Sequence, residues 1–373
     1  MPNNRIKPQR LSKLLQRLVD IYSPSGKEGD VLDFLKGYFK RRNLPVIVQP
    51  VDDDRYNLIL SPVTKDIKLA FIGHIDTVPA PDLDSYCYSE LGDTVKGLGV
   101  ADMKGGCAAM IEAFLTFLEA GNSQAPIALC LVVGEEESGD GAEKLMRAYH
   151  FPWAVIGEPT DMAPCLQSYG YVEIQLTAKG TRQHASVAKR RQNAIEVMLQ
   201  TILRLTHHLE LKYPHVTYNI RDLFSSHSGF AVPERSEAWL DLHVPPGMDI
   251  GEILLDLEGI AMAKTEKLNG IEIVFRRVTI AAGYQLPEKE AVVETMKSIF
   301  KNHGIQWSSS AFRSHSDANQ IWASGVKPII LGPGQLEQAH SHDESVSFKQ
   351  VCQAAEIYLD LMYAMVKDGS DAS

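Results

Sequence analysis

Short apolar runs that alternate with amphipathic helical stretches, and then give way to a different periodicity, constrain this chain more than any other feature. Leu11, Leu14, Leu15, Leu18 and Val19 recur at helical spacing, as do Val31, Phe34, Leu35, Tyr38 and Phe39, with a break at Pro24, Ser25 and Gly26 between them. Runs that read as buried strands follow at Pro45–Val51, Tyr56–Leu60 and Lys68–Ile75. A helix at about Gly105–Ala120, a strand at Ile127–Val133, a helix near Gly141–Tyr149 and a strand at Ala154–Gly157 come next. Strands alternating with helices predict a largely parallel sheet covered on both faces. Near Tyr171 the texture changes: Val172, Ile174 and Leu176 alternate with Glu173, Gln175 and Thr177, the period of a strand with one buried face. A helix over about 193–211, a strand at 238–244, a helix over about 250–268 and a strand at 271–278 complete this block. After Gly283 the first texture resumes, with a helix from about Glu288, a strand at Val326–Leu331 and a closing helix from about Phe348. The expected fold class is α/β. A discontinuous domain of residues 1–170 and 285–373, with a mostly parallel central sheet, is interrupted by an inserted α+β domain of residues 171–284.

Composition removes several function classes. The 37 Lys and Arg against 47 Asp and Glu give a net charge of −10, so nucleic acid and anionic lipid are poor partners. No apolar run approaches the roughly 20 residues of a membrane span, and residues 1–10 lack the apolar core of a signal peptide. The five cysteines are scattered, with no C-x-x-C pair, which fits a reducing compartment and argues against a thiolate metal cage. A soluble, cytoplasmic protein is expected.

Polar residues recur at strand ends, where ligands gather in open α/β sheets. His74 and Asp76 lie two apart after the third strand, so both side chains leave the same side of an extended chain. A carboxylate there would fix the tautomer of a metal-binding histidine, although two polar residues at a surface strand end would look the same. The Gly-rich loop Gly97–Gly106 carries Asp102 where a dinucleotide fingerprint needs its third glycine; a carboxylate would repel a pyrophosphate and suits a cation better. Glu135, Glu136 and Glu137 follow an apolar strand, reading equally as a solvated helix start or as acids gathered on a cation. Glu158 ends the next strand, and His340, His342, Asp343 and Glu344 follow the last one. Histidines and carboxylates without cysteine form a ligand set for Zn²⁺ or a similar divalent ion, and the excess of acids favours two ions. The chain contains no H-E-x-x-H, G-x-S-x-G or P-loop signature.

Taken in order from about Ser23 to Val346, these segments resemble the M20 family of metallopeptidases and deacylases, which includes acetylornithine deacetylase, succinyl-diaminopimelate desuccinylase and carboxypeptidase G2. The resemblance implies a zinc-peptidase-like catalytic domain and an inserted ferredoxin-like lid or dimerisation domain. It implies His74 as a metal ligand oriented by Asp76, and Asp102 as the bridge between two metals, often followed by a cis peptide. Counting back from Gly141 and Ala142 assigns Glu135 as general base and Glu136 as ligand. Glu158 and His340 complete the set, so that Glu136 pairs with His340 and Glu158 with His74. In the inserted domain, Gly180–Ser186 resembles the lid motif whose histidine, here His184, crosses a dimer interface to stabilise an oxyanion. Arg313, Ser316 and Asn319 match a substrate-pocket segment.

The implied function is that of a dinuclear metal-dependent hydrolase of amide or peptide bonds. It would most readily remove an N-acyl group from an amino acid through a metal-bridged hydroxide, with Glu135 as base. An M20-type dipeptidase or carboxypeptidase is the alternative, and a non-catalytic ligand-binding protein of the same fold a further one. The cofactors implied are two divalent ions per chain, Zn²⁺ first, with Co²⁺ and Mn²⁺ also suited; the oligomer implied is a homodimer through the inserted domain. Three positions depart from the family pattern. Phe230 stands where many members carry Asn, His243 where they carry Arg, and Gly134 where they carry Asp. Arg313 is therefore the substitute candidate for binding a substrate carboxylate.

Overall fold

A computed structural model describes residues 5–63, 66–80, 82, 87–188, 192–227, 229–263 and 270–367. It divides into two compact units, one of Met1–Gln167, Leu286–Phe312 and Ser316–Ser373, the other of Ser168–Gln285 with Arg313–His315.

In the first unit the sheet runs Ile47–Pro50, Tyr56–Leu60, Ile127–Val132, Leu69–His74, Trp153–Ile156, Lys327–Ile330, Cys165–Ser168. The central four strands are parallel to one another, while Ile47–Pro50, Tyr56–Leu60 and Cys165–Ser168 pair antiparallel at the flanks. Every residue of Leu69–His74 and Ile127–Val132 is buried. That is why these runs are continuously apolar rather than alternating: both sheet faces are covered. Helix Gly105–Glu119 is buried over almost its whole length, and Phe117 meets Tyr363 of the closing helix Phe348–Lys367 with ring centroids 5.3 Å apart. Tyr358 of that helix packs edge-on against Phe71 of the sheet, 5.6 Å between centroids, and donates to the Leu331 carbonyl.

Glycines let the backbones around this sheet approach closely. A Cβ on Gly106 would lie 2.1 Å from the Gly157 carbonyl oxygen, and one on Gly332 would lie 2.2 Å from the same atom. The start of helix Gly105–Glu119 and two strand ends thus meet main chain to main chain.

The second unit is a four-stranded antiparallel sheet in the order Thr217–Ser225, Arg235–Val244, Gly170–Lys179, Glu272–Ala281. In chain order the elements are strand, helix Ala194–Lys212, two strands, helix Ile250–Met262, strand, a ferredoxin-like βαββαβ arrangement. Val172, Ile174, Leu176 and Ala178 from the central strand join Val197, Met198, Leu205 and Leu209 of one helix and Ile253, Leu254 and Leu257 of the other in a single core. Helix Ala194–Lys212 begins where Asn193 Oδ1 accepts from the Ile195 N–H at 2.9 Å, and Asp249 caps the second helix in the same way.

The sequence reading lacks one strand of this sheet, Thr217–Ser225. It is an edge strand exposed on both faces over most of its length, so it carries no period-2 burial signal. The helix expected from about Glu288 begins at Ala291, with Glu290 still extended. No helix among the described residues is long and apolar enough to cross a membrane.

Candidate metal centre

The four parallel strands of the first unit run in one direction, so their C-terminal ends open at one edge of the sheet. His74 is the last residue of one strand; Glu135 and Glu136 follow the next in space; Glu158 follows the third; and the segment leading to His340 follows the fourth. Asp102 comes from the turn between Gly99 and helix Gly105–Glu119, where the Asp102–Met103 peptide is cis.

Asp102 lies between the two imidazoles. Its Oδ1 is 3.2 Å from His74 Nε2 and its Oδ2 is 3.4 Å from His340 Nε2. Each imidazole faces a further carboxylate: His340 Nε2 lies 2.9 Å from Glu136 Oε2, and His74 Nε2 lies 3.8 Å from Glu158 Oε2. Ligand atoms of His74, Asp102 and Glu136 all fall within 4.8 Å of one another. Glu135 Oε2 is 3.8 Å from His74 Nε2, whereas Glu137 is exposed. Of three consecutive glutamates, two therefore face the centre.

The main chain sets the tautomer of His74. Nδ1 donates to the Asp76 carbonyl oxygen at 3.1 Å, which leaves the Nε2 lone pair facing Asp102 and Glu158. The Asp76 carboxylate stands beside the ring, Oδ1 at 3.6 Å from Nδ1. Its Oδ2 accepts from Ser25 Oγ (2.6 Å) and from the Glu136 N–H (3.1 Å), tying two further segments to the site.

The electrostatics of the cluster suit cations. Burial pushes the Glu158 carboxyl up to about 8, and the neighbouring Asp102 charge adds to this. Burial likewise drives Glu135 well above the usual carboxylate range and raises Glu136. Against its own burial, Asp102 is held low by hydrogen bonds from His340 and His74, and His340 is raised to about 10 by Asp102 and Glu136. Glu136 Oε1, Glu158 Oε1 and Asp76 Oδ1 are buried without a hydrogen-bond partner. Buried carboxylates in such numbers are stable when paired with cations. Nitrogen and oxygen donors without sulfur suit Zn²⁺ and similar divalent ions, so the residues present fit a metal centre.

Two supports escape the sequence reading. Glu344 accepts from the Gly99 N–H (2.8 Å), the Ala101 N–H (2.8 Å) and the Asp102 N–H (3.1 Å), pinning the turn that presents Asp102. Lys104 is fully buried and donates to the Ile21 carbonyl at 2.9 Å. Glu344 is visible in the sequence only as one of several polar residues after His340, with nothing to mark its long-range partners.

The remaining expected site residues, Ser316, Asn319, His184 and Arg313, are divided between the two units. Ser316 and Asn319, expected in a substrate pocket, are buried and form a reciprocal cap on helix Asp317–Ala323: Ser316 Oγ accepts from the Ala318 N–H, and Asn319 Oδ1 from the Ser316 N–H, both at 3.2 Å. His184 and Arg313 belong to the second unit. His184 is exposed and its Nδ1 lies 2.8 Å from Ser186 Oγ. Arg313 lines a recess of about 260 Å³ with Tyr169, Pro214, His215 and Thr217.

A parallel sheet that gathers carboxylates and imidazoles around one aspartate is the architecture of a metal-dependent hydrolase. The family described as peptidase family M20/M25/M40 matches residues 70–364, and the chain belongs to it. The acetylornithine deacetylase of Klebsiella pneumoniae (strain 342) is 27% identical over 352 residues, spanning 89% of this chain and 90% of that protein. In fold, the chain is similar to a tripeptidase from Staphylococcus aureus, with a TM-score of 0.82, 22% identity and coverage of 97% of this chain and 99% of the other. It is similar also to a dinuclear metal-binding M20 peptidase from Bacillus subtilis, with a TM-score of 0.71, 11% identity and coverage of 96% and 98%. The chain is accordingly a hydrolase of the M20 family, whose members are metal-dependent and act on amide or peptide bonds.

Proposed function

We propose that the chain is a two-metal amidohydrolase that removes an N-acyl group from an amino acid, with Glu135 as general base. The observation that carries this reading is the placement of Asp102, each of whose oxygens faces a different imidazole backed by a different glutamate. That arrangement supplies two ligand sets joined by one carboxylate: Asp102, His74 and Glu158, and Asp102, His340 and Glu136. When bound, the ions would polarise the scissile carbonyl and acidify the attacking water.

The chain's own residues would do the rest. Glu135 accepts a proton from the attacking water as the C–O bond forms and returns it to the nitrogen as the C–N bond breaks. A carboxyl that burial already inclines toward protonation is suited to hold that proton between the two steps. Asp76 keeps the His74 ring aligned. His184, supplied by a partner copy in a homodimer through the second unit, would donate to the oxyanion, and Arg313 would hold a substrate carboxylate. The deacetylase relative, matched over nine-tenths of its length, favours an acyl-amino acid substrate. The tripeptidase-like fold keeps a short peptide as the second reading. Zn²⁺ is the preferred ion, with Co²⁺ and Mn²⁺ as substitutes, and the acidic chain with scattered cysteines fits a cytoplasmic enzyme.

Plasma mass spectrometry on protein purified without chelator tests the centre. About two divalent ions per chain are expected, lost in Asp102→Ala. Glu135→Gln should retain both ions and lose hydrolysis of an N-acetyl-amino acid and dipeptide panel. Near-normal turnover in that variant would remove Glu135 as base, and absence of metal after incubation with Zn²⁺ would remove the mechanism.

A further inference from the structure

We propose that Arg55 and Asp140 are positioning residues for the glutamates of this centre: their ion pair forms the floor beneath Gly134 and fixes the turn that carries Glu135 and Glu136. The proposal rests on the metal-centre reading above.

Arg55 immediately precedes strand Tyr56–Leu60, and Asp140 opens helix Asp140–Ala148. Nη1 of Arg55 donates to Asp140 Oδ1 at 3.2 Å and Nη2 donates to Asp140 Oδ2. Nε donates to Asp52 Oδ2 at 2.6 Å, and Glu28 Oε1 stands 3.6 Å from Nη1. Three carboxylates therefore surround one guanidinium, whose side chain is only 15% exposed. A two-pronged pairing of this kind specifies direction as well as charge.

Its location gives the pair a consequence beyond local stability. Gly134 has φ 76°, and a Cβ there would lie 2.2 Å from Asp140 Oδ1 and 2.8 Å from Arg55 Nη1. The chain at Gly134 rests directly on the ion pair, with no room for a side chain between them. From that point the turn closes on itself. The Gly134 carbonyl accepts from the Ser138 and Gly139 N–H groups at 3.0 and 2.7 Å, and the Gly141 N–H donates to the Val133 carbonyl at 3.1 Å. The far end is held from the same strand as the near one, because Asn57 Nδ2 donates to the Gly141 carbonyl at 2.8 Å. Residues 55 and 57 thus secure both ends of the segment between Gly134 and Gly141, while Asp76 holds its middle through the Glu136 N–H.

The charge pattern points the same way. Glu28 is fully buried with neither carboxylate oxygen hydrogen-bonded; burial raises its carboxyl, the nearby Asp76 charge adds to this, and Arg55 opposes it. Without the guanidinium, nothing in this contact would draw Asp140 beneath Gly134, and the turn would be free to move the two glutamates.

The test is calorimetric addition of Zn²⁺ to chelator-stripped full-length protein, for the wild type, Arg55→Met, Arg55→Lys and Asp140→Asn. Groups that hold a ligand in place typically cost about 10–100-fold in metal affinity when removed. That loss is expected for one of the two ions in Arg55→Met and in the isosteric Asp140→Asn, with partial recovery in Arg55→Lys and an unchanged far-ultraviolet circular dichroism spectrum. In hydrolysis kcat should fall while KM holds. Wild-type affinity in either Arg55→Met or Asp140→Asn overturns the positioning role; where Arg55→Met does not fold, Asp140→Asn alone decides. A wild-type chain that takes up no Zn²⁺ overturns the metal centre and this proposal together, whereas normal variants beside a two-ion wild type overturn only the proposal.

Discussion

The carboxylate of Glu344 offers the most direct test of how Asp102 is held. It lies far along the chain from the Gly-rich turn, yet it accepts three N–H groups there, Oε1 taking those of Ala101 and Asp102 and Oε2 that of Gly99. A net hydrogen bond is worth about 1 kcal/mol, more when one partner is charged. Glu344→Ala also leaves space in which water can reach the three donors, so the lower figure applies, and the turn should open more easily by about 3 kcal/mol. At 1.4 kcal/mol per decade, that predicts amide exchange at Gly99, Ala101 and Asp102 faster by roughly 100-fold. In Glu344→Gln the amide oxygen can keep two of the bonds, while its NH₂ group faces the third N–H. The expected acceleration is then about 1 kcal/mol, or fivefold, centred on Gly99. Hydrogen–deuterium exchange on chelator-stripped protein, followed through peptides covering residues 97–106, measures this without metal masking the turn. Exchange in Glu344→Ala within twofold of wild type would refute the argument, as would equal effects of Ala and Gln.

Packing and pH yield two further expectations. Gly106→Ala pushes a Cβ against the Gly157 carbonyl at 2.1 Å, main chain that cannot step aside; a loss of about 1–3 kcal/mol is expected in urea unfolding. Gly29→Ala, in an open helix position, should be neutral or slightly stabilising, and equal effects of the two would contradict the close approach. His315 is pushed down to about 4 by burial and by neighbouring His243, with the Tyr171 ring 5.7 Å away and Asp241 close to Tyr171. A histidine whose folded value lies below its unfolded one holds its full stability above about 6.5 and loses it as pH falls toward 4, so the step from about pH 7 to about pH 5 should cost roughly 2 kcal/mol. That part of the loss should be missing in His315→Gln, and an identical pH response of the two proteins would refute the assignment.

What the sequence made legible follows from what a parallel sheet does with its ends. His74, Glu135, Glu136, Glu158 and His340 are readable because each closes or follows an apolar run, and parallel strands bring such ends to one edge whatever their separation in the chain. The groups that hold those residues in place carry no such mark. Glu344 and Arg55 act on partners 245 and 85 residues away, respectively, and Ser25 reaches Asp76 across 51; only the folded chain makes them neighbours. Polar type also leaves roles open: Ser316 and Asn319 are expected in a pocket and in the fold cap a helix, because the side chains that bind substrates are also the ones that cap helices. The edge strand Thr217–Ser225 is missed for a third reason, since a strand that buries neither face shows no alternation. Periodicity therefore reports burial, and burial locates the frame on which the centre is hung. The precision of the centre comes from long-range charge and main-chain contacts instead. Variants of Arg55, Asp140 and Glu344 should accordingly disturb metal binding while leaving the buried strands and the closing helix intact.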